Sequence, residues 1–244
     1  MTSDPETGTL ITALQVGEIE LKGQFMLGSN YTFLVDVHYQ GETYPAVYKP
    51  QRGEQPLWDF PDATLAGREV AAYLVSQALG WCFVPFTLLR EDGPHGPGSL
   101  QQFISYDPNY HYFTFSRADK LRLRPVALFD LITNNADRKG SHVFIESQTD
   151  KLWLIDHGLC FHVQDKLRTV IWDFAGQAIP QELLSDLSRL QAELSVGSDL
   201  RTQLEPYLFP EEIEVLAWRV GHYLEHPVFP LPPDDRRVLP WPPV

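Results

Sequence analysis

The chain has 244 residues, 43% of them hydrophobic, with 32 acidic against 19 basic side chains and a formal charge of −13. That length holds one large domain or two small lobes around a buried core, and the composition excludes a disordered chain. The acidic balance argues against nucleic acid as a partner, because phosphate backbones are bound through Lys and Arg.

In chain order, Thr9 to Leu14 predicts a short helix or strand, followed by Ile19–Lys22 and Phe25–Leu27. After Gly28-Ser29-Asn30, Tyr31 to Val37 alternates as a strand, Gly41-Glu42 turns, and Tyr44 to Lys49 forms the next strand. A Gly-Ser-Asn turn offers backbone N–H groups and small polar side chains to phosphates, and it is equally an ordinary hairpin turn. Gln51 to Pro61 is a Pro- and Gly-punctuated loop. Ala63 to Leu79 has helical spacing and stops at Gly80. Phe83 to Leu89, broken by Pro85, and Leu100 to Ile104 read as strands, and the aromatic segment SYDPNYHYF reads as a crossover. Pro125 to Asn134 is a helix. Beyond Phe161 the expectation is helical: Lys166–Phe174, Pro180–Glu193 and Pro210–Leu224. The proline-dense tail PVFPLPPDDRRVLPWPPV reads as an extended strap packed by Phe229, Leu239 and Trp241 or as a disordered or docking tail, and the apolar residues spaced through it favour the strap.

The most informative stretch is Leu128 to Phe161. Two apolar runs, Val143–Ile145 and Leu152–Ile155, flank a polar turn and predict a hairpin. Asp137 lies on the loop entering it and Asp156, in Asp156-His157-Gly158, on the loop leaving it. Two aspartates so placed suit phosphoryl transfer, one facing an attacking hydroxyl and one holding a metal on the phosphates. Neither cysteine, Cys82 or Cys160, has zinc or disulfide-framework spacing. GxSxG and HExxH are absent, which leaves hydrolase readings without support. No run reaches the ~18 apolar residues of a membrane span. The polar N-terminus lacks a signal-peptide pattern. The expectation is a cytoplasmic protein without integral membrane association.

Several blocks occur in one order: Ala46-Val47-Tyr48-Lys49-Pro50, Arg68 to Val75, Asn135-Ala136-Asp137-Arg138, and Ile155 to Phe161. This order resembles the type II phosphatidylinositol 4-kinases, and more closely the small bacterial phosphatidylinositol 3-/4-kinase-like proteins, over roughly Gly28 to Phe161. The resemblance implies an α+β, two-lobe protein-kinase-like fold, with a small antiparallel-sheet N-lobe (1–104) that binds nucleotide and a mostly helical C-lobe (105–244). It implies an ATP-dependent phosphotransferase with ATP and Mg2+ or Mn2+ as cofactors and a hydroxyl acceptor (a lipid head group, a protein Ser/Thr or a small polyol). Lys49 would contact the ATP phosphates with Glu69 holding it, and Ser29 and Asn30 would lie over them. Asp137 would orient or deprotonate the acceptor, and Asp156 would ligate metal. Where the family has Asn as second metal ligand, five residues after the catalytic Asp, this chain has His142, a poorer match for magnesium than oxygen and better suited to softer divalent ions, so the expectation is a site that uses manganese, holds one metal only or is catalytically weak. Lys139 replaces a Gly or His. The competing expectation is a non-catalytic nucleotide-binding scaffold acting through protein partners.

Overall fold

The computed structural model describes residues 5–25 and 31–244. Helix α1 (Pro5–Val16) precedes strands β1 (Glu18–Phe25), β2 (Thr32–Tyr39) and β3 (Glu42–Pro50). With β4 (Thr87–Arg90) and β5 (Gly98–Gln102) these form an antiparallel sheet in the order β1-β2-β3-β5-β4. The β2–β3 hairpin turns at Gln40 and Gly41, whose φ values of 52° and 86° are the left-handed pair that a two-residue hairpin takes. Val35, Val37, Ala46, Tyr48 and Leu100 bury one face of the sheet against Leu14 of α1. Successive side chains of a strand point to opposite faces. Tyr48 therefore packs into this core and its neighbour Lys49 faces the other way.

Helix α2 (Leu65–Ala78) lies on that other side. The Glu54 carboxylate caps its N-terminus, accepting from Leu65 N at 3.2 Å and Ala66 N at 2.9 Å. A carboxylate there also complements the helix dipole. Ala71, Ala72 and Val75 pack into the main core with α4 (Arg124–Thr133), α5 (Gln181–Glu193), α6 (Asp199–Leu204) and α7 (Pro210–Glu225). Deeper ties are polar. Arg68, fully buried, donates to Glu212 Oε1 of α7 at 2.5 Å and to the Cys160 carbonyl at 2.7 Å. Helix α2 is thus tied both to the helical part of the molecule and to the sheet.

The expected hairpin is present as β6 (Val143–Ile145) and β7 (Leu152–Leu154), with Val143 opposite Leu154 and Ile145 opposite Leu152. Other expectations need correction. Lys166–Phe174 is not helical: Leu167 and Thr169 are buried while Lys166 and Arg168 are half-buried, a period of two, and the segment runs beside the Asp137 loop. The added apolar residues Val170 and Ile171 gave it a helical look. The strand expected from Phe83 starts only at Thr87, because Phe83 N and Val84 N donate to Ser76 Oγ at 2.8 and 3.3 Å. Two short helices went unforeseen, α3 (Arg117–Leu121, between β5 and α4) and α6, each capped by a serine hydroxyl (Ser116, Ser198). Of the two readings left open for Thr9 to Leu14, the helix is the one observed, within α1. Met26 and Leu27, expected in a strand, and Gly28 lie outside the described residues.

The tail is an extended strap. Phe229 anchors it and exchanges backbone hydrogen bonds with Gly176 and Gln177, both 2.9 Å. Val238 O accepts from Thr169 N at 3.1 Å, and Pro243 O accepts from Gly140 N at 2.8 Å. Leu239 and Trp241, expected to pack it, are exposed. Backbone bonds and Arg236, which reaches Asp165 and the Leu167 carbonyl, hold the strap instead.

Candidate active site

Four expected site residues meet between the sheet and the β6–β7 hairpin. Lys49 Nζ lies 2.5 Å from Glu69 Oε1 and 3.0 Å from Asp156 Oδ1. His142 Nε2 lies 3.2 Å from Asp156 Oδ2. Asp156 is the open member, its side chain 48% exposed, whereas that of Glu69 is 3% exposed. It is held at φ 63°, a left-handed backbone that non-glycine residues seldom adopt without a tertiary constraint. Ser29 and Asn30, expected over the phosphates, lie outside the described residues.

The charges order these groups. Burial would depress Lys49, but Asp156 and Glu69 raise its pKa above the ordinary lysine value. Desolvation opposes ionisation of Glu69 and Asp156, and Lys49 overcomes it in both, holding both carboxyls well below the usual range. Burial pushes His142 down to about 4, so it is neutral at pH 7. Among the described residues its buried Nδ1 has no hydrogen-bond partner. Among the described residues no group of three or more His, Cys, Asp or Glu is placed to hold a metal ion.

Asp137 stands on the loop after α4. Asn134 ends that helix at φ 53°, and its side-chain oxygen accepts from Lys166 N at 3.0 Å. Asp137 N donates to Asn135 Oδ1 at 2.9 Å, which turns the loop back on itself. The Asp137 carboxylate pairs with Lys139 Nζ at 3.2 Å. Burial nevertheless raises its pKa to about 6.

The residue that unites both acidic loops is Arg138, a member of the Asn135–Arg138 block whose role is not evident from the sequence. It is fully buried. Its Nε donates to Asp130 Oδ1 at 2.9 Å, Nη1 to the Ile155 carbonyl at 2.9 Å, and Nη2 to His157 Nε2 at 2.9 Å. Asp130 also accepts from Thr169 Oγ1 at 3.0 Å. Since His157 Nε2 is the acceptor, its proton sits on Nδ1, 3.8 Å from Glu69 Oε2, while His157 N donates to that same oxygen at 2.9 Å. The signal that was available is Asp130 itself, a charge inside the apolar run of α4. A charge in such a place needs a buried partner.

Beside Asp156, Ile155 joins Ile104, Phe144, Trp153 and Tyr106 in a separate apolar cluster, with Tyr106 stacked on Phe144 at 3.8 Å between ring centroids.

A sheet-borne lysine paired with a helix glutamate, and two aspartate loops around a short hairpin, define a kinase-like fold. Solved kinases of low sequence identity share it. The Golgi casein kinase with Mn/ADP bound aligns at a TM-score of 0.62 and 15% identity, covering 92% of this chain and 76% of that one. A hydra Fam20 with sugar gives 0.58 and 14%, covering 93% and 90%. The Helicobacter pylori proinflammatory kinase CtkA gives 0.54 and 13%, covering 88% and 94%. No family model matches the chain. Protein Rv2133c of Mycobacterium tuberculosis is 38% identical over 263 residues, spanning 93% of this chain and 92% of the relative, and the chain belongs to the family of that protein.

Proposed function

We propose that the protein is an ATP-dependent phosphotransferase that moves the γ-phosphate to an alcohol acceptor. The observation that carries this reading is Lys49 held between Glu69 and Asp156, with Asp137 close enough to Asp156 to feel its charge. The nucleotide would lie between the sheet and the helical part. Its base would pack near Ile104, Tyr106 and Ile155, and its phosphates would reach Lys49. Lys49 binds and orients the phosphates, and Glu69 keeps its ammonium aimed. Asp137 receives the proton of the acceptor hydroxyl as the new O–P bond forms. The bond from the γ-phosphorus to the β–γ bridging oxygen breaks, and ADP leaves with the electron pair. Lys139 is placed to offset charge on the transferred group.

The donor set fits a divalent ion shared with phosphate oxygens. Asp156 and His142 would hold it, and it would neutralise charge on the β- and γ-phosphates. The fit is better at Asp156. The tautomer that frees His142 Nε2 for a metal puts its proton on Nδ1, which finds no acceptor among the described residues. The neighbour crystallised with Mn/ADP supports a nucleotide and a divalent ion here without choosing between Mg2+ and Mn2+.

The motif order that resembles type II phosphatidylinositol 4-kinases keeps a lipid head group among the acceptors. A cytoplasmic location belongs to the same reading; among the described residues no helix is long and apolar enough to cross a membrane. His142 favours a second reading, a nucleotide-binding scaffold without turnover. The deciding experiment follows label from γ-labelled ATP into lipid, protein and polyol acceptors with each metal. Transfer to any of them supports the enzyme. Nucleotide binding with no transfer to any supports the scaffold.

A further inference from the structure

Segment 166–169 pairs with the Asp137 loop in a parallel bridge between Arg138 and Thr169. Arg168 N donates to the Asn135 carbonyl at 2.9 Å, and Arg138 N to the Arg168 carbonyl at 3.0 Å. In paired extended segments, residues in register share a face and their neighbours take the other. Arg138 and Thr169 are both buried and both bond Asp130. Asp137 and Arg168 therefore share the opposite face, with Asp156 near enough to act on Asp137. Lys166, two residues before Arg168, shares it too, and its charge is met by Asp59 at 3.0 Å. Arg168 is different. Among the described residues its guanidinium makes no hydrogen bond or ion pair. Its charge is felt by Asp137, whose ionised form it favours. A half-buried cation with five donors and no hydrogen-bond or ion-pair partner among the described residues, beside the proposed base Asp137, suits an anion. It is the more telling in a chain of net charge −13.

We propose that Arg168 sets acceptor specificity, and that the acceptor is a hydroxyl compound carrying a phosphate or carboxylate within reach of Arg168 while its hydroxyl faces Asp137. This rests on the phosphotransfer reading and narrows its acceptor. The geometry of a planar guanidinium suits both oxygens of such a group at once.

The test has two arms. Thermal unfolding with ATP and Mn2+, for the wild type and Asp156→Ala, establishes the nucleotide site. Transfer from labelled ATP is then measured for acceptor pairs that differ only in charge: glycerol and glycerol 3-phosphate, myo-inositol and inositol 1-phosphate. Phosphatidylinositol in phosphatidylcholine vesicles, set against soluble inositol 1-phosphate, separates a lipid head group from a free ester. The phosphorylated member should have the higher kcat/KM. That preference should fall about tenfold or more in Arg168→Gln through a rise in KM, and recover in part in Arg168→Lys, as losing a charge-assisted bond predicts. The nucleotide-dependent shift checks that each variant is folded. Equal use of both members, or a preference untouched by Arg168→Gln, overturns the proposal and leaves phosphotransfer standing. An equal fall in kcat for both members overturns it too, and makes Arg168 a support for Asp137. Absence of any nucleotide shift in the wild type removes the reading and this inference together.

Discussion

Arg138 Nη2 donates to His157 Nε2 at 2.9 Å, so one buried hydrogen bond joins the loop of Asp137 to the loop of Asp156. The bond fixes the tautomer of His157, and His157 in turn supports Glu69, the partner of Lys49. The two aspartates are therefore placed by one network and not by two independent loops.

Asp137→Asn should lower transfer by about a hundredfold or more, the usual worth of a positioned acid or base. ATP affinity should stay nearly intact. The same substitution should stabilise the fold. The folded-state pKa of about 6 lies above the ordinary 3.8, so the ionised carboxylate works against folding as pH rises through that window. Replacing it should raise stability by about 1–2 kcal/mol at neutral pH. Steady-state kinetics and denaturant unfolding of one preparation check both outcomes.

The pH dependence follows from the same value. Below pH about 6 Asp137 is protonated and cannot take the acceptor proton, so kcat/KM should fall about tenfold per pH unit on the acid side. A profile flat from pH 5 to pH 8, a range spanning that value by about one unit or more, would show that Asp137 only orients the hydroxyl.

Metal-dependent nucleotide binding should require Asp156. A ligand present at about a hundred times its Kd stabilises by about 2.7 kcal/mol. Asp156→Ala should lose the metal-dependent part of the shift seen with ATP.

His142→Asn should favour magnesium. An amide oxygen is a harder donor than imidazole and needs no tautomer that leaves a buried N–H unpaired. Turnover with Mg2+ should rise relative to Mn2+. An unchanged ratio would mean that His142 does not touch the metal.

Arg68→Met should destabilise by about 3–5 kcal/mol, because it leaves the Glu212 carboxylate buried and unpaired. The double variant Arg68→Met, Glu212→Met should recover much of that loss. Urea unfolding of the three proteins measures it.

Much of this was legible in the sequence, for local reasons. The β6–β7 hairpin announces itself as two apolar runs about a polar turn, and α2 as a helical pattern stopped by Gly80. The meeting of Lys49 with Glu69, twenty residues later, was legible only through the order of short motifs, because nothing local ties a strand-end lysine to a helix glutamate. The Arg138 network was hidden. Its members come from three separate segments, Asp130 in α4, Ile155 and His157 on the Asp156 loop, and Thr169, and only the folded chain brings them together. Segment 166–174 misled because buried residues crowd its second half and blur a period of two. The tail was legible as extended from its prolines, while the reach of Pro243 to Gly140 depends on tertiary path.

That last contact gives the protein a built-in reporter. The Gly140 amide lies three residues after Asp137 and is bonded to the strap, with Phe113 so close that a side chain at position 140 would strike its ring. In an amide-exchange or NMR experiment, that one N–H signal would register lifting of the strap. The state of the tail can thus be followed from inside the loop that faces the acceptor, with no added label.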